Sequence, residues 1–109
     1  MKKFLVLYRM DIEAMRKMMT ESTPEDRQKG MDEWKTWMTA NAGIFADMGG
    51  PTGKNLQVTP TGASEVSNDI GGSSIVQAES KEEAAEKLKG SPHFSMPGSV
   101  IDLAEIMSM

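Results

Sequence analysis

Residues 70–107 leave this chain the least freedom, because they read in order as strand, capped helix, tight turn and strand. Ser74-Ile75-Val76-Gln77-Ala78 is short and β-branched and follows Gly71-Gly72, so it reads as a strand with a turn or bulge at its entrance. Ser80-Lys81-Glu82-Glu83 has the form of a capping box, the Ser80 hydroxyl accepting from the Glu83 amide while the Glu83 carboxylate reaches back to the Ser80 amide. Acids in the first turn and Lys87 and Lys89 in the last suit the helix dipole. Gly90 fits a left-handed residue closing the helix, and Pro92 bars its continuation. Residues 99–107 give a second strand, with Val100, Ala104 and Ile106 on one face and Ile101, Leu103 and Met107 on the other.

The N-terminal half repeats the pattern. In residues 3–10, Phe4, Val6 and Tyr8 point one way and Leu5 and Leu7 the other, so a central strand covered on both faces is expected. Asp11 fits the N-cap of a short helix. Thr23-Pro24-Glu25-Asp26 is a cleaner start, with Thr23 as cap, Pro24 in the first position and acids following. Met31, Trp34, Met38, Ala42 and Phe45 then recur at helical spacing, and Gly43 fits the left-handed terminator. A strand is expected to begin at residues 44–47, to be interrupted at 49–53 and to resume at 55–59, with residues 60–69 as a polar hairpin loop.

Strand, helix, strand, strand, helix, strand is the split βαβ order of an α+β, ferredoxin-like fold with a four-stranded antiparallel sheet. Two helices cover one face of such a sheet, yet the first and last strands are apolar on both. A second copy, packed sheet against sheet, is the economical cover, so a homodimer is expected.

A length of 109 residues suits one domain, residues 1–109. The net charge of −4, with no basic cluster, argues against nucleic acid as a partner. No cysteine is present, which excludes disulfides and thiolate chemistry. The apolar run at the N-terminus is interrupted by Arg9 and Asp11, too early for a signal peptide, and no stretch approaches a membrane span; a soluble cytoplasmic protein is expected. Met15, Met18 and Met19 share one helical face, which suits either a soft metal or pliable packing; with no histidine or cysteine nearby, packing is the reading taken. Gly49-Gly50-Pro51-Thr52-Gly53-Lys54 lacks the spacing of a phosphate loop, no dinucleotide fingerprint follows a strand, and one histidine makes no ligand cluster, so neither cofactor nor metal is expected.

Several of these segments together resemble the YCII-related family of the dimeric α+β barrel group. They are Ile70-Gly71-Gly72, Ile75-Val76-Gln77-Ala78-Glu79-Ser80, Glu83-Ala84-Ala85, Gly90-Ser91-Pro92-His93-Phe94, the opening Lys3-Phe4-Leu5-Val6-Leu7-Tyr8-Arg9 and the helix end Trp37 to Ala42-Gly43. The resemblance implies a dimeric barrel and a small-molecule site. It has departures: Thr59-Pro60-Thr61-Gly62-Ala63-Ser64-Glu65 stands where many members carry a DGPF motif, and Ser91 where members often carry a histidine. Some relatives are proposed to use a His-Asp pair from the region after the first strand; no histidine occurs there in this chain, so that pair does not transfer.

His93 is the one side chain that titrates near neutrality unaided. As an acid or base it needs a carboxylate to fix its tautomer, for which Asp47 and Asp102 are candidates. Tyr8 and Arg9, at the end of the first strand, could bind an anionic or enolic oxygen, and Trp34 or Trp37 could line a cleft. Two readings stay open. In one, the chain binds a small anionic or carbonyl-bearing molecule between sheet and helices and His93 performs proton abstraction or elimination. In the other, it is a non-catalytic dimer that binds a ligand or partner, and His93 fixes its turn.

Overall fold

A computed structural model describes residues 1–108. Strands β1 (Lys2–Arg9), β2 (Phe45–Pro51), β5 (Ile70–Ala78) and β6 (Val100–Glu105) form a four-stranded sheet in the order β2-β5-β1-β6, every pairing antiparallel. Helices α1 (Ile12–Glu21) and α2 (Pro24–Ala40) lie between β1 and β2, and α3 (Lys81–Leu88) between β5 and β6. Strands β3 (Leu56–Thr59) and β4 (Gly62–Glu65) pair only with each other, as a separate two-stranded ribbon. The fold is α+β and ferredoxin-like, with β1 in the interior of the sheet as its two apolar faces require.

Helix starts follow local chemistry. Asp11 accepts from the Ala14 amide. Thr23 and Asp26 cap each other, Thr23 Oγ1 accepting from the Asp26 amide and the Asp26 carboxylate from the Thr23 amide. Ser80 accepts from the Glu83 amide at 3.1 Å, but the Glu83 carboxylate passes the expected Ser80 amide and takes the Glu79 amide instead, at 3.2 Å. Helix ends differ from expectation. Neither Gly43 nor Gly90 has a positive φ. Helix α2 is closed by Asn41, whose amide donates to the Thr39 and Trp37 carbonyls, and passes into a 3-10 turn, Ala42–Ile44. A Cβ at Gly90 would lie 3.6 Å from Trp37 Nε1, an ordinary contact, so neither a left-handed turn nor crowding requires a glycine there.

Strand β2 runs through Gly49-Gly50 instead of being broken there. Its pairing with β5 slips on either side of Asp47, and Gly49 takes φ +61° so close to β5 that a Cβ would stand 2.0 Å from the Ser73 carbonyl oxygen. Residues 55–59 do not resume this strand; they turn into the β3–β4 ribbon, so part of the expected loop at 60–69 is strand. The bulge expected near Gly71-Gly72 falls at Gly71, where Tyr8 pairs with Gly72 but Arg9 with Ile70.

The core lies on one face of the sheet. Phe4, Val6, Tyr8, Val76 and Ala78 meet Ala84 and Leu88 of α3, with Trp34 and Trp37 of α2 and Ile101 and Leu103 of β6 packed around them. The opposite face is bare in the protomer. At its centre Leu5 pairs with Ile75 on one side and Ala104 on the other, and Leu7 lies beside Ser73 and Asp102. Helix α1 buries no residue; Met19 is 70% exposed, so the methionine face does not fill the protomer's core as packing required. Among the described residues no helix is long and apolar enough to cross a membrane.

Candidate functional site

The turn that carries His93 is held at both polar atoms of that residue's backbone. The buried Ser91 hydroxyl accepts from the His93 amide at 3.2 Å, Ser99 Oγ donates to the His93 carbonyl at 2.9 Å, and the Met96 amide donates to the same carbonyl. The imidazole points inward and is 5% exposed. Its Nε2 lies 2.8 Å from the Arg9 carbonyl oxygen and 2.9 Å from that of Val100. Arg9 and Val100 are the terminal paired residues of the β1–β6 ladder. A carbonyl can only accept, so the proton must sit on Nε2 and is shared between the two strands. Nδ1 takes no part in that bond, and among the described residues no group bonds to it. It is not sealed off, since no buried side-chain nitrogen or oxygen lacks a partner among the described residues.

The expected carboxylate partners do not reach this ring. Asp47 lies on exposed β2, where Oδ1 accepts from the Gly49 amide at 2.8 Å. Asp102 points to the bare face, where Oδ2 accepts from Arg9 Nη1 at 2.8 Å. The alternation of the strand separates them: Val100 offers His93 a backbone oxygen, while the Asp102 side chain leaves the sheet on the side of Leu7. The tautomer of His93 is fixed by main chain instead of by an acid.

Tyr8, Trp34 and His93 do come together, beneath α2. The Tyr8 ring stands edge-on to Trp34 at 5.3 Å between centroids and to His93 at 5.5 Å. Its hydroxyl is paired with the buried Ser74 hydroxyl at 2.9 Å. Burial raises the Tyr8 phenol above its ordinary value, and the Ser74 bond offsets only part of that. Tyr8 is therefore a neutral core phenol. Trp37 continues the aromatic row to Phe45 and lines an open groove of about 790 Å³ along α2 with Glu25, Lys29, Glu33 and Ala40.

Arg9 belongs to a different cluster. Its Nε and Nη2 form a fork onto Asp69, with the closest approach 2.8 Å, and Nη1 takes Asp102. These bonds raise the guanidinium further above its already high value, and Arg9 in turn holds Asp69 below the ordinary carboxylate range. Sequence reasoning missed Asp69, which sits in a polar stretch 60 residues away. The usable signal was register: once Arg9 is set opposite Ile70, Asp69 is adjacent. Arg9, Asp69, Met10, Asp11, Ile12, Glu13, Gly98 and Val100 line a hollow of about 380 Å³ at this end of the sheet. One cation against three carboxylates leaves the hollow net acidic. His93 lines neither cavity. Among the described residues no three His, Asp or Glu side chains are grouped to hold a metal ion.

No protein-family model matches the chain, and no curated protein matches it. Among solved structures it is similar to 5-chloro-2-hydroxyhydroquinone dehydrochlorinase (TftG) from Burkholderia phenoliruptrix AC1100, in complex with 2,5-dihydroxybenzoquinone. The TM-score is 0.53 at 13% identity, over 92% of this chain and 90% of that one. At that identity the likeness shows the fold, of the dimeric α+β barrel type.

Proposed function

We propose that this chain is a cytoplasmic, homodimeric small-molecule-binding protein related to the YCII group, in which His93 clasps the sheet instead of moving protons. One observation carries the reading: the Nε2 proton of His93 is taken up by the carbonyls of Arg9 and Val100, and neither Asp47 nor Asp102 bonds to the ring. The ligand is a small polar molecule rich in hydrogen-bond donors, bound in the hollow at the Arg9 end of the sheet, whose size suits such a molecule. An anionic ligand is disfavoured because Arg9 already pairs with Asp69 and Asp102.

The second reading keeps His93 as acid or base through Nδ1, acting on a carbonyl-bearing molecule near Tyr8 and Trp34. Its support is the unbonded Nδ1, together with a similar solved structure that is an enzyme with a bound quinone. A thermal-shift screen containing amines, polyols and hydroxyquinones separates the two. The first reading expects a melting temperature that climbs with ligand concentration, no product, and binding retained in His93→Gln. Turnover of a hydroxyquinone that disappears in His93→Gln would establish the second. Sedimentation at micromolar concentration tests the dimer, which should show twice the 11.9 kDa chain mass.

A further inference from the structure

Strands β3 and β4 pair only with each other among the described residues, and every residue of both is exposed. A lone two-stranded hairpin is marginal in water. This one presents Leu56, Val58 and Ala63 on a single face, with Glu65 beside Leu56 at its base; Leu56 is 61% and Val58 77% exposed. The ribbon's one charge is Glu65 at its base, with Lys54 just before it; from Asn55 to Ser64 there is none, in a chain that is 26% charged. Ribbons that stay free in solution defend their edges with lysines or bulges, and here only Pro60 at the turn does so. The molecule is also extended: its radius of gyration is 15.3 Å, against about 13 Å for a compact chain of this length.

We propose that the ribbon is an arm that closes over a second copy of this chain, its Leu56–Val58 face covering Val100 of the partner copy. This rests on the homodimer proposed above. The arm continues the β2–β5 edge, since the Thr52 amide still donates to the Gly71 carbonyl and the Val66 amide to the Asn55 carbonyl. It leaves the sheet at the end where Pro51 pairs with Gly72 and Arg9 with Val100. Face-to-face packing about a two-fold axis along the strands reverses the strand order, setting the β2 edge of one copy over the β6 edge of the other. That places the arm beside Val100, which is 47% exposed on the bare face. The apolar residues of the sheet face are the half-buried Leu5, Leu7 and Ile75 and the exposed Val100 and Ala104; the arm adds Leu56 and Val58 toward the roughly 800 Å² per partner that stable dimers bury.

The absence of cysteine makes the test clean. Within one protomer the β2 and β6 edges are three strand spacings apart, about 14 Å, too far for a disulfide. Chains carrying Val58→Cys and chains carrying Val100→Cys are mixed, allowed to exchange, and mildly oxidised. The expected result is a covalent mixed dimer forming roughly ten times faster or more than between Val58→Cys and an α1 control, Met19→Cys. In parallel, Leu56→Ser with Val58→Ser should weaken wild-type dimerisation by roughly tenfold or more. Equal cross-linking rates from a chain that sediments as a dimer would overturn the arm and leave the dimer standing. A monomeric wild type would overturn both.

Discussion

Removing the His93 side chain takes the Nε2 donor away from two carbonyls and opens a cavity beside Tyr8. His93→Ala should therefore cost roughly 2–4 kcal/mol in urea unfolding. His93→Gln should recover part of that, because its amide offers two N–H bonds to the same oxygens. A wild-type unfolding midpoint in His93→Ala would end the clasp. The Arg9 cluster predicts a pH effect. Asp69 is held by its hydrogen bonds to Arg9 below the ordinary carboxylate range. Its stabilisation is then complete above the unfolded value and is lost as pH falls through the lower folded one, below about pH 4. Asp69→Asn should flatten that acid limb; an unchanged urea midpoint–pH profile would contradict it. The residues that matter here were only partly legible. His93 stood out as the single histidine, and Arg9 as a charge closing an apolar strand. Their partners, two main-chain carbonyls and an aspartate 60 residues away, carry no local signature, because they meet only through strand register.

Short-range chemistry wrote the helix starts into the sequence: Asp11, Thr23 and Ser80 each accept from an amide three residues on. The helix ends were less legible. Where α2 stops depends on how Ile44 and Phe45 reach the core, and nothing in the structure requires a glycine at position 90. Strand β4 escaped notice because Gly-Ala-Ser-Glu has little intrinsic preference for extension and is held by β3 alone. The two glycines of β2 give a paired prediction. Gly49→Ala forces a Cβ against the Ser73 carbonyl at positive φ, whereas the corresponding space at Gly50 is empty. The first should destabilise by about 2 kcal/mol or more, the second by no more than about 0.5 kcal/mol. Equal unfolding midpoints would show that the β2 irregularity tolerates a side chain.

For the molecule as a whole, the order of elements was readable because two apolar periods alternate along the chain, and the bare sheet face followed from counting helices. Its extended shape was not, since nothing local distinguishes a free ribbon from a paired one. In the proposed dimer Leu5 lies at the centre of the interface, so Leu5→Lys should leave far-UV circular dichroism intact and yield half the proposed dimer's mass in sedimentation. A retained dimer would move the interface elsewhere. The strand order has a consequence for synthesis. The first eight-residue strand pairs only with segments that begin at Ile70 and Val100. While the chain emerges from the ribosome, its most apolar strand waits until both of those later segments have been made. The sheet closes only then, and β1 is what a chaperone would hold in the interval.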